Sequence, residues 1–381
     1  MERKDGVRTA TKIGILGCGV ISGIYIETAK KIDAIECVAV ADVEPAAARY
    51  RADQYDIPRA CSPHELLADA EVEIVVNLTP NHLHAPIATE IIDAGKHMYS
   101  EKPLTVYREE SIRLLAAAAN ANLRVGAAPD TFFGGTWQTA RKAIDDGLIG
   151  EPFAAMATFQ GRPPPAAEMD RRAGSSPTRS TAPGTVSFRQ TAAFKYGVAV
   201  PFDMGPYYLH ALINMFGPAR SVVGATRTVF DEAVGFAGVK LKVESPTHAA
   251  ALLEFDAGVL CQFVTSGQIY GTGLPHIEVY GTEGSLRCPD PNYFYGRYIC
   301  ANRRVWRWSS SSVSTATTRT AAAWASRIWR SRCAAAVRTG RAVRWARTWS
   351  ISSTPSTNRR SRAAASTCRP RAPVPNRCRR D

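Results

Sequence analysis

The chain has 381 residues, 45% apolar and 21% charged, which is enough apolar material for two cores and argues against a wholly disordered protein. No run of eighteen apolar residues occurs, so an unaided membrane-spanning helix is excluded; with no apolar block of a secretory signal after Met1, a soluble, cytoplasmic protein is expected. The net charge of +13 describes no part of the molecule: residues 301–381 hold 19 Arg, no Lys and one acid, leaving residues 1–300 at a net of −5.

Residues 12–16 form a short apolar run of the kind found in buried parallel strands, ending in Gly17-Cys-Gly19-Val20-Ile21-Ser22-Gly23 and passing into a helical stretch at 24–31. Gly17 permits the tight turn and Gly19 the close approach of backbone to a pyrophosphate, whose charge a helix amino terminus favours. The sixth position is Ser22, small enough for helix packing. A second strand over 36–41 ends at Asp42, 23 residues after Gly19. A carboxylate there accepts the ribose hydroxyl protons and repels a 2′-phosphate, so NAD is expected and NADP is the alternative, with Arg49 and Arg51 as guanidinium groups able to reach a phosphate.

Strands over 74–78 and 95–99 lead into two loops, Thr79-Pro80-Asn81-His82-Leu83-His84 and Ser100-Glu101-Lys102-Pro103, at the strand ends where open parallel sheets bind ligands. Asp130-Thr-Phe-Phe-Gly-Gly135 then leaves the last strand of the first domain. A helix over 138–146, a strand over 153–159, and strand runs at 221–229, 248–255, 259–265 and 276–280 predict a second domain built on an open, mostly antiparallel sheet. One face of that sheet is expected to pack on helices and the other to be free for a ligand or a second subunit. Asp203-Met-Gly205-Pro-Tyr207-Tyr-Leu-His210 runs into a helical stretch at 211–216.

The expected class is α/β: a Rossmann dinucleotide-binding domain over 1–129 and an α+β domain over 130–300. Residues 162–200 have no usable period, and 301–381 form an atypical Arg-rich tail. That tail contains six of the seven Trp and no Leu, Phe, Tyr or Met. Three readings fit it: a nucleic-acid arm with Arg on phosphates and Trp stacked on bases, a disordered extension, or GC-rich codons read out of frame. Under the first, the whole would be a non-catalytic dinucleotide-binding protein; otherwise nucleic acid is not expected as a partner, and a further alternative is an inactive relic of an enzyme that binds nothing. The nine cysteines show no CxxC pair and no spacing that would hold zinc, so reduced thiols and no metal are expected.

Taken in order, Gly17-Cys-Gly19 with Ile21-Ser22, Asp42, Thr79-Pro80-Asn81 with His84, Glu101-Lys102-Pro103 and Asp203-Met-Gly205 resemble the glucose-fructose oxidoreductase and inositol dehydrogenase (Gfo/Idh/MocA) family over about residues 10–290. The resemblance implies an NAD(P)-dependent oxidoreductase of a sugar, polyol or derivative, working as a homodimer or homotetramer. It implies a cofactor held by Gly17, Gly19, Val20, Ile21, Ser22 and Asp42, then by Leu78, Thr79, Asn81 and His84, and by Glu101 and Lys102. Lys102 would lie between nicotinamide and reacting carbon, with partial burial drawing its pKa toward neutrality. Asp203 would orient the substrate or Lys102, and Tyr207 would donate or accept the proton, with His210 as the alternative base. The sequence departs from the family pattern at Gly197-Val-Ala-Val200, where a glycine run is usual, and in the tail.

Overall fold

The computed structural model describes residues 10–161, 199–234, 240–302 and 305–310. The irregular stretch up to 198 and the tail beyond 310 lie outside the described residues. Strands and helices alternate through the first domain: β1 (Thr11–Leu16), α1 (Ser22–Ala29), β2 (Ile35–Ala41), α2 (Pro45–Tyr55), β3 (Arg59–Cys61) and α3 (Pro63–Ala68). They continue as β4 (Ile74–Asn77), α4 (His84–Asp93), β5 (His97–Ser100), α5 (Arg108–Asn120) and β6 (Val125–Ala127).

All six strands are parallel, in the order β3-β2-β1-β4-β5-β6. Parallel strands covered on both faces need apolar side chains on both. Ile13, Ile15, Val40 and Val76 accordingly pack on one side against Ile26, Ala48 and Ala52. Leu16, Val75 and Met98 pack on the other against Ile91 and Leu114. The order reverses between β1 and β4, which opens a crevice at the carboxyl ends of the strands. Helix α3 illustrates the local logic: Ser62 and Glu65 form a reciprocal capping box and Pro63 occupies the first turn, where its missing N–H costs nothing.

The second domain comprises α6 (Gly135–Asp145), β7 (Pro152–Gln160), α7 (Val200–Asp203), α8 (Gly205–Phe216) and β8 (Ala219–Arg227), then β9 (Glu232–Val234) and β10 (Lys240–Lys242). It continues with β11 (His248–Phe255), β12 (Leu260–Ser266), β13 (Ile277–Gly281), β14 (Gly284–Cys288), β15 (Ile299–Asn302) and β16 (Val305–Ser310). β9 and β10 pair alone, and the other strands form one sheet, β16-β15-β14-β13-β7-β12-β11-β8. β7 does not pair with its sequence neighbour β8; it lies between β13 and β12 and runs parallel to β12. The chain leaves β7 through a crossover that includes α7 and α8, and such a long connection lets a strand enter the middle of a sheet in parallel sense.

Strands β15 and β16 extend the sheet to Ser310, ten residues past the position at which sequence reading ended the domain. The signal was a period-two alternation, Val305-Trp-Arg-Trp-Ser, masked by the arginine content of its surroundings. The inner face of the sheet presents Phe255, Cys261, Phe263, Ile277 and Leu286 to Trp137 of α6 and to Tyr208 and Leu212 of α8. Trp137 is fully buried, and its indole N–H donates to the Tyr293 carbonyl at 2.9 Å. On the outer face Val223 and Leu252, paired across β8 and β11, and also Leu260 are exposed. The six described cysteines are free thiols, and burial pushes Cys18, Cys37, Cys261 and Cys288 up to about 12, where they stay protonated at neutral pH.

Candidate active site

The glycine loop is built from the inside outward. Gly17 has φ +104°, and a Cβ there would lie 2.7 Å from the Leu78 carbonyl oxygen, so only glycine fits between β1 and β4. The Gly19 carbonyl is turned inward, accepting from the Ser22 hydroxyl at 2.7 Å and from the Arg51 guanidinium at 3.0 Å. In a trans peptide the N–H points opposite to the carbonyl. The Val20 N–H is therefore aimed outward, over Gly19, where a Cβ would meet nothing within 4 Å, and this is the side a phosphate would approach.

Two expectations change here. Ser22 is fully buried and bonds inward, so it ties the loop to α1 instead of facing a ligand. Arg51 is 0% exposed and also donates to Gln54 Oε1 at 2.6 Å, so it braces the loop and cannot swing to a ribose phosphate. Asp42 accepts the Cys18 N–H at 2.7 Å and the Glu44 N–H at 2.9 Å. A carboxylate has about four lone-pair sites, so about two remain for ribose hydroxyls. Beside it opens a cleft of about 270 Å³ lined by Asp42, Val43, Arg49 and Ser62 among others. Outward amide, open space above Gly19, a carboxylate with acceptor capacity to spare and an adjacent cleft fit a dinucleotide. Arg49, which lines the cleft, is the guanidinium positioned to touch it.

The second wall comes from the loops after β4 and β5. Asn77, a buried polar residue in an otherwise apolar strand, accepts from the Thr79 N–H and hydroxyl at 3.2 and 2.6 Å. Sequence reading missed it, although a lone Asn after Ile-Val-Val was the available signal. Thr79 and Asn81 are half-buried at the crevice, whereas Leu78 is buried with its N–H bonded to Leu16. His84 is also 0% exposed: its ring lies between the carbonyls of Thr79 at 2.8 Å and Pro103 at 2.6 Å. Burial holds its pKa below the ordinary value, so the neutral ring donates to one of the two. His84 thus spans the two loops from behind and offers the cofactor position, not contact. Glu101 works similarly, accepting from the Tyr25 hydroxyl at 2.8 Å and from the Lys102 N–H at 2.9 Å.

Lys102 and Asp203 come from domains a hundred residues apart and meet in an ion pair, with a second bond from the ammonium to the Asp203 carbonyl at 2.8 Å. Burial opposes the charge on Lys102, but Asp203, Tyr207 and Glu101 together outweigh it, and the ammonium is held above its ordinary pKa. The expected descent toward neutrality is therefore reversed, because the burial that would cause it comes with a carboxylate. The ammonium also lies 5.2 Å from the Tyr207 ring centre.

The chain breaks between α7 and α8 at Met204, and Pro206, which has no N–H to continue the ladder, sits in the first turn of α8, so Asp203 ends one helix and Tyr207 lies in the first turn of the next. Tyr207 and His210 follow one turn apart on α8. Burial pushes Tyr207 up to about 12, against the pull of Lys102, so it holds its proton at neutral pH. His210 lies edge-on to Phe132 and its Nδ1 is 3.0 Å from the Pro129 carbonyl. A carbonyl only accepts, so Nδ1 carries the proton and Nε2 the lone pair. Burial lowers the His210 pKa and keeps the ring neutral.

Known proteins are similar to this chain over both domains. Residues 11–128 match the oxidoreductase family with an NAD-binding Rossmann fold, and residues 137–287 match the Gfo/Idh/MocA C-terminal domain. The inositol 2-dehydrogenase of Rhizobium meliloti is 31% identical over 277 residues, covering 72% of this chain and 74% of that one. The myo-inositol 2-dehydrogenase of Thermotoga maritima is 24% identical with the same coverage. A levoglucosan dehydrogenase solved with NADH and L-sorbose superposes with a TM-score of 0.66 at 20% identity, covering 82% of this chain and 83% of that one. Glycine loop, paired lysine and open sheet together place this chain in the Gfo/Idh/MocA family of NAD-dependent oxidoreductases.

Proposed function

We propose that the protein oxidises a hydroxyl-bearing carbon of a neutral sugar or polyol, or reduces the corresponding carbonyl, at the crevice where Lys102 meets Asp203. The carrying observation is that ion pair: a charged ammonium fixed at the carboxyl edge of the parallel sheet and facing the second domain. NAD supplies the hydride acceptor for such a reaction, and Gly17, Gly19, Val20 and Asp42 would hold it.

Lys102 would donate a hydrogen bond to the reacting oxygen and stabilise negative charge as it develops there; such preorganised donors typically lower barriers by about 3–4 kcal/mol. As Lys102 is kept protonated, the proton released by the alcohol needs another acceptor. Neutral His210, with its Nε2 lone pair, fits that role better than Tyr207, whose proton is tightly held. Tyr207 would then donate in the reductive direction or relay between substrate and His210. The inositol and levoglucosan dehydrogenases among its relatives support a sugar-like substrate. The exposed apolar row on the outer sheet face supports a homo-oligomer.

Lys102→Ala tests the reading. Hydride transfer should fall by at least about a hundredfold while NADH affinity is unchanged; full activity in the variant would remove Lys102 from the chemistry.

A further inference from the structure

Asp130 belongs to neither the cofactor loops nor the ion pair, yet it sits among their groups. It leaves β6 through Ala128-Pro129, at the same carboxyl edge of the sheet that carries Lys102. The carbonyl of its neighbour Pro129 holds the His210 ring. Its own charge acts on the Tyr25, Tyr99 and Tyr207 hydroxyls and is opposed by Glu101. Asp130 opens the 3-10 turn Thr131–Phe133, but its side chain does not cap that turn. Among the described residues no cation pairs with it, and its own backbone amide is the one donor recorded for it. A half-buried carboxylate without such partners is costly unless something else donates to it.

Resting on the oxidoreductase reading above, we infer that Asp130 is a substrate-binding residue: its carboxylate accepts a hydrogen bond from a second hydroxyl of the substrate, beside the one that reacts, and so selects neutral polyhydroxy compounds. Several features point to a hydroxyl donor. The neighbouring Tyr25 hydroxyl is already given to Glu101, and the Lys102 ammonium to Asp203. What Asp130 lacks among the described residues is a side-chain donor, and vicinal diols supply donors without bringing charge. A sugar acid would instead set a third carboxylate against Asp130 and Glu101, a like-charge contact in a partly desolvated place. A site built to receive a hydroxyl discriminates strongly against an analogue that lacks it, because the acceptor, cut off from water by the bound analogue, is then left unpaired.

The test uses the full chain saturated with NADH and titrated by calorimetry with myo-inositol, D-glucose, D-sorbitol and the monodeoxy form of each. For the polyol that binds, one monodeoxy form should bind wild type about tenfold or more weaker, and Asp130→Asn should lose the same factor on the parent polyol while binding that deoxy form as wild type does. NADH affinity should be unchanged in the variant, which also shows that it is folded. Equal losses on the parent and on every deoxy form, or no loss at all, would overturn the role given to Asp130 while leaving the oxidoreductase reading in place. Failure of wild type itself to bind or oxidise any of the parents would sink the substrate reading, and the inference with it.

Discussion

Replacing Asp203 by Asn removes the carboxylate that holds Lys102 in its charged form and leaves the backbone carbonyl bond intact. Two unit charges about 4 Å apart interact by about 4 kcal/mol at an effective dielectric near 20. Asp203 is 39% exposed against 12% for Lys102, so solvent screening reduces this to about 2 kcal/mol. Losing it lowers the Lys102 pKa, because burial is then no longer outweighed. The assay is kcat/KM against pH from neutrality upward, with NADH formation as the signal. The alkaline limb assigned to the ammonium should move to lower pH, and the plateau should fall by about tenfold or more, since the lysine is also less well aimed. An unchanged limb would mean that Asp203 does not set the charge state of Lys102, and the electrostatic account of the pair would fail.

Gly17→Ala should abolish NADH binding and destabilise the fold by about 1–3 kcal/mol, because an L side chain at φ +104° collides with the Leu78 carbonyl; ordinary binding in that variant would contradict the loop geometry. Arg51→Met should weaken NADH about tenfold without altering the preference for NAD over NADP, because the guanidinium braces the Gly19 carbonyl from inside; a switch in preference would show that it reaches the ligand. Burial and the nearby Glu101 raise Asp130 from 3.8 to about 6. The native state then binds more protons than the unfolded chain in that window, so this residue's contribution to stability declines as pH rises through it. Asp130→Asn should flatten stability between about pH 4 and 6 in denaturant titrations, whereas a steeper slope in the variant would reverse the assignment.

The Rossmann half was legible because its signals are local. Buried parallel strands read as apolar runs, Gly17 and Gly19 occupy the turn, and Asp42 directly follows β2. What sequence could not show was direction. Arg51, Ser22 and His84 are polar residues in a ligand-binding neighbourhood, and all three turn inward to hold backbone carbonyls. Nothing in periodicity distinguishes a polar side chain that faces a ligand from one that braces the wall behind it.

The protonation of Lys102 was hidden for a related reason. Burial alone lowers a lysine pKa, and its countercharge comes from a residue 101 positions away, which only the folded pairing reveals. Asp130 was visible as a strand-end acid, but its neighbours Tyr25, Tyr99 and Tyr207 come from three separate elements. The place of β7 between β12 and β13 depends on a crossover whose return point no local pattern encodes.

The most direct measurement follows the hydride itself. The wild-type chain is incubated with NAD and a panel of neutral sugars and polyols carrying deuterium on their carbinol carbons, and the nicotinamide is then analysed by mass spectrometry. The account predicts deuterium in the reduced nicotinamide from at least one polyol and none when Lys102→Ala replaces wild type. Bound dinucleotide that acquires no deuterium from any member of the panel would contradict it.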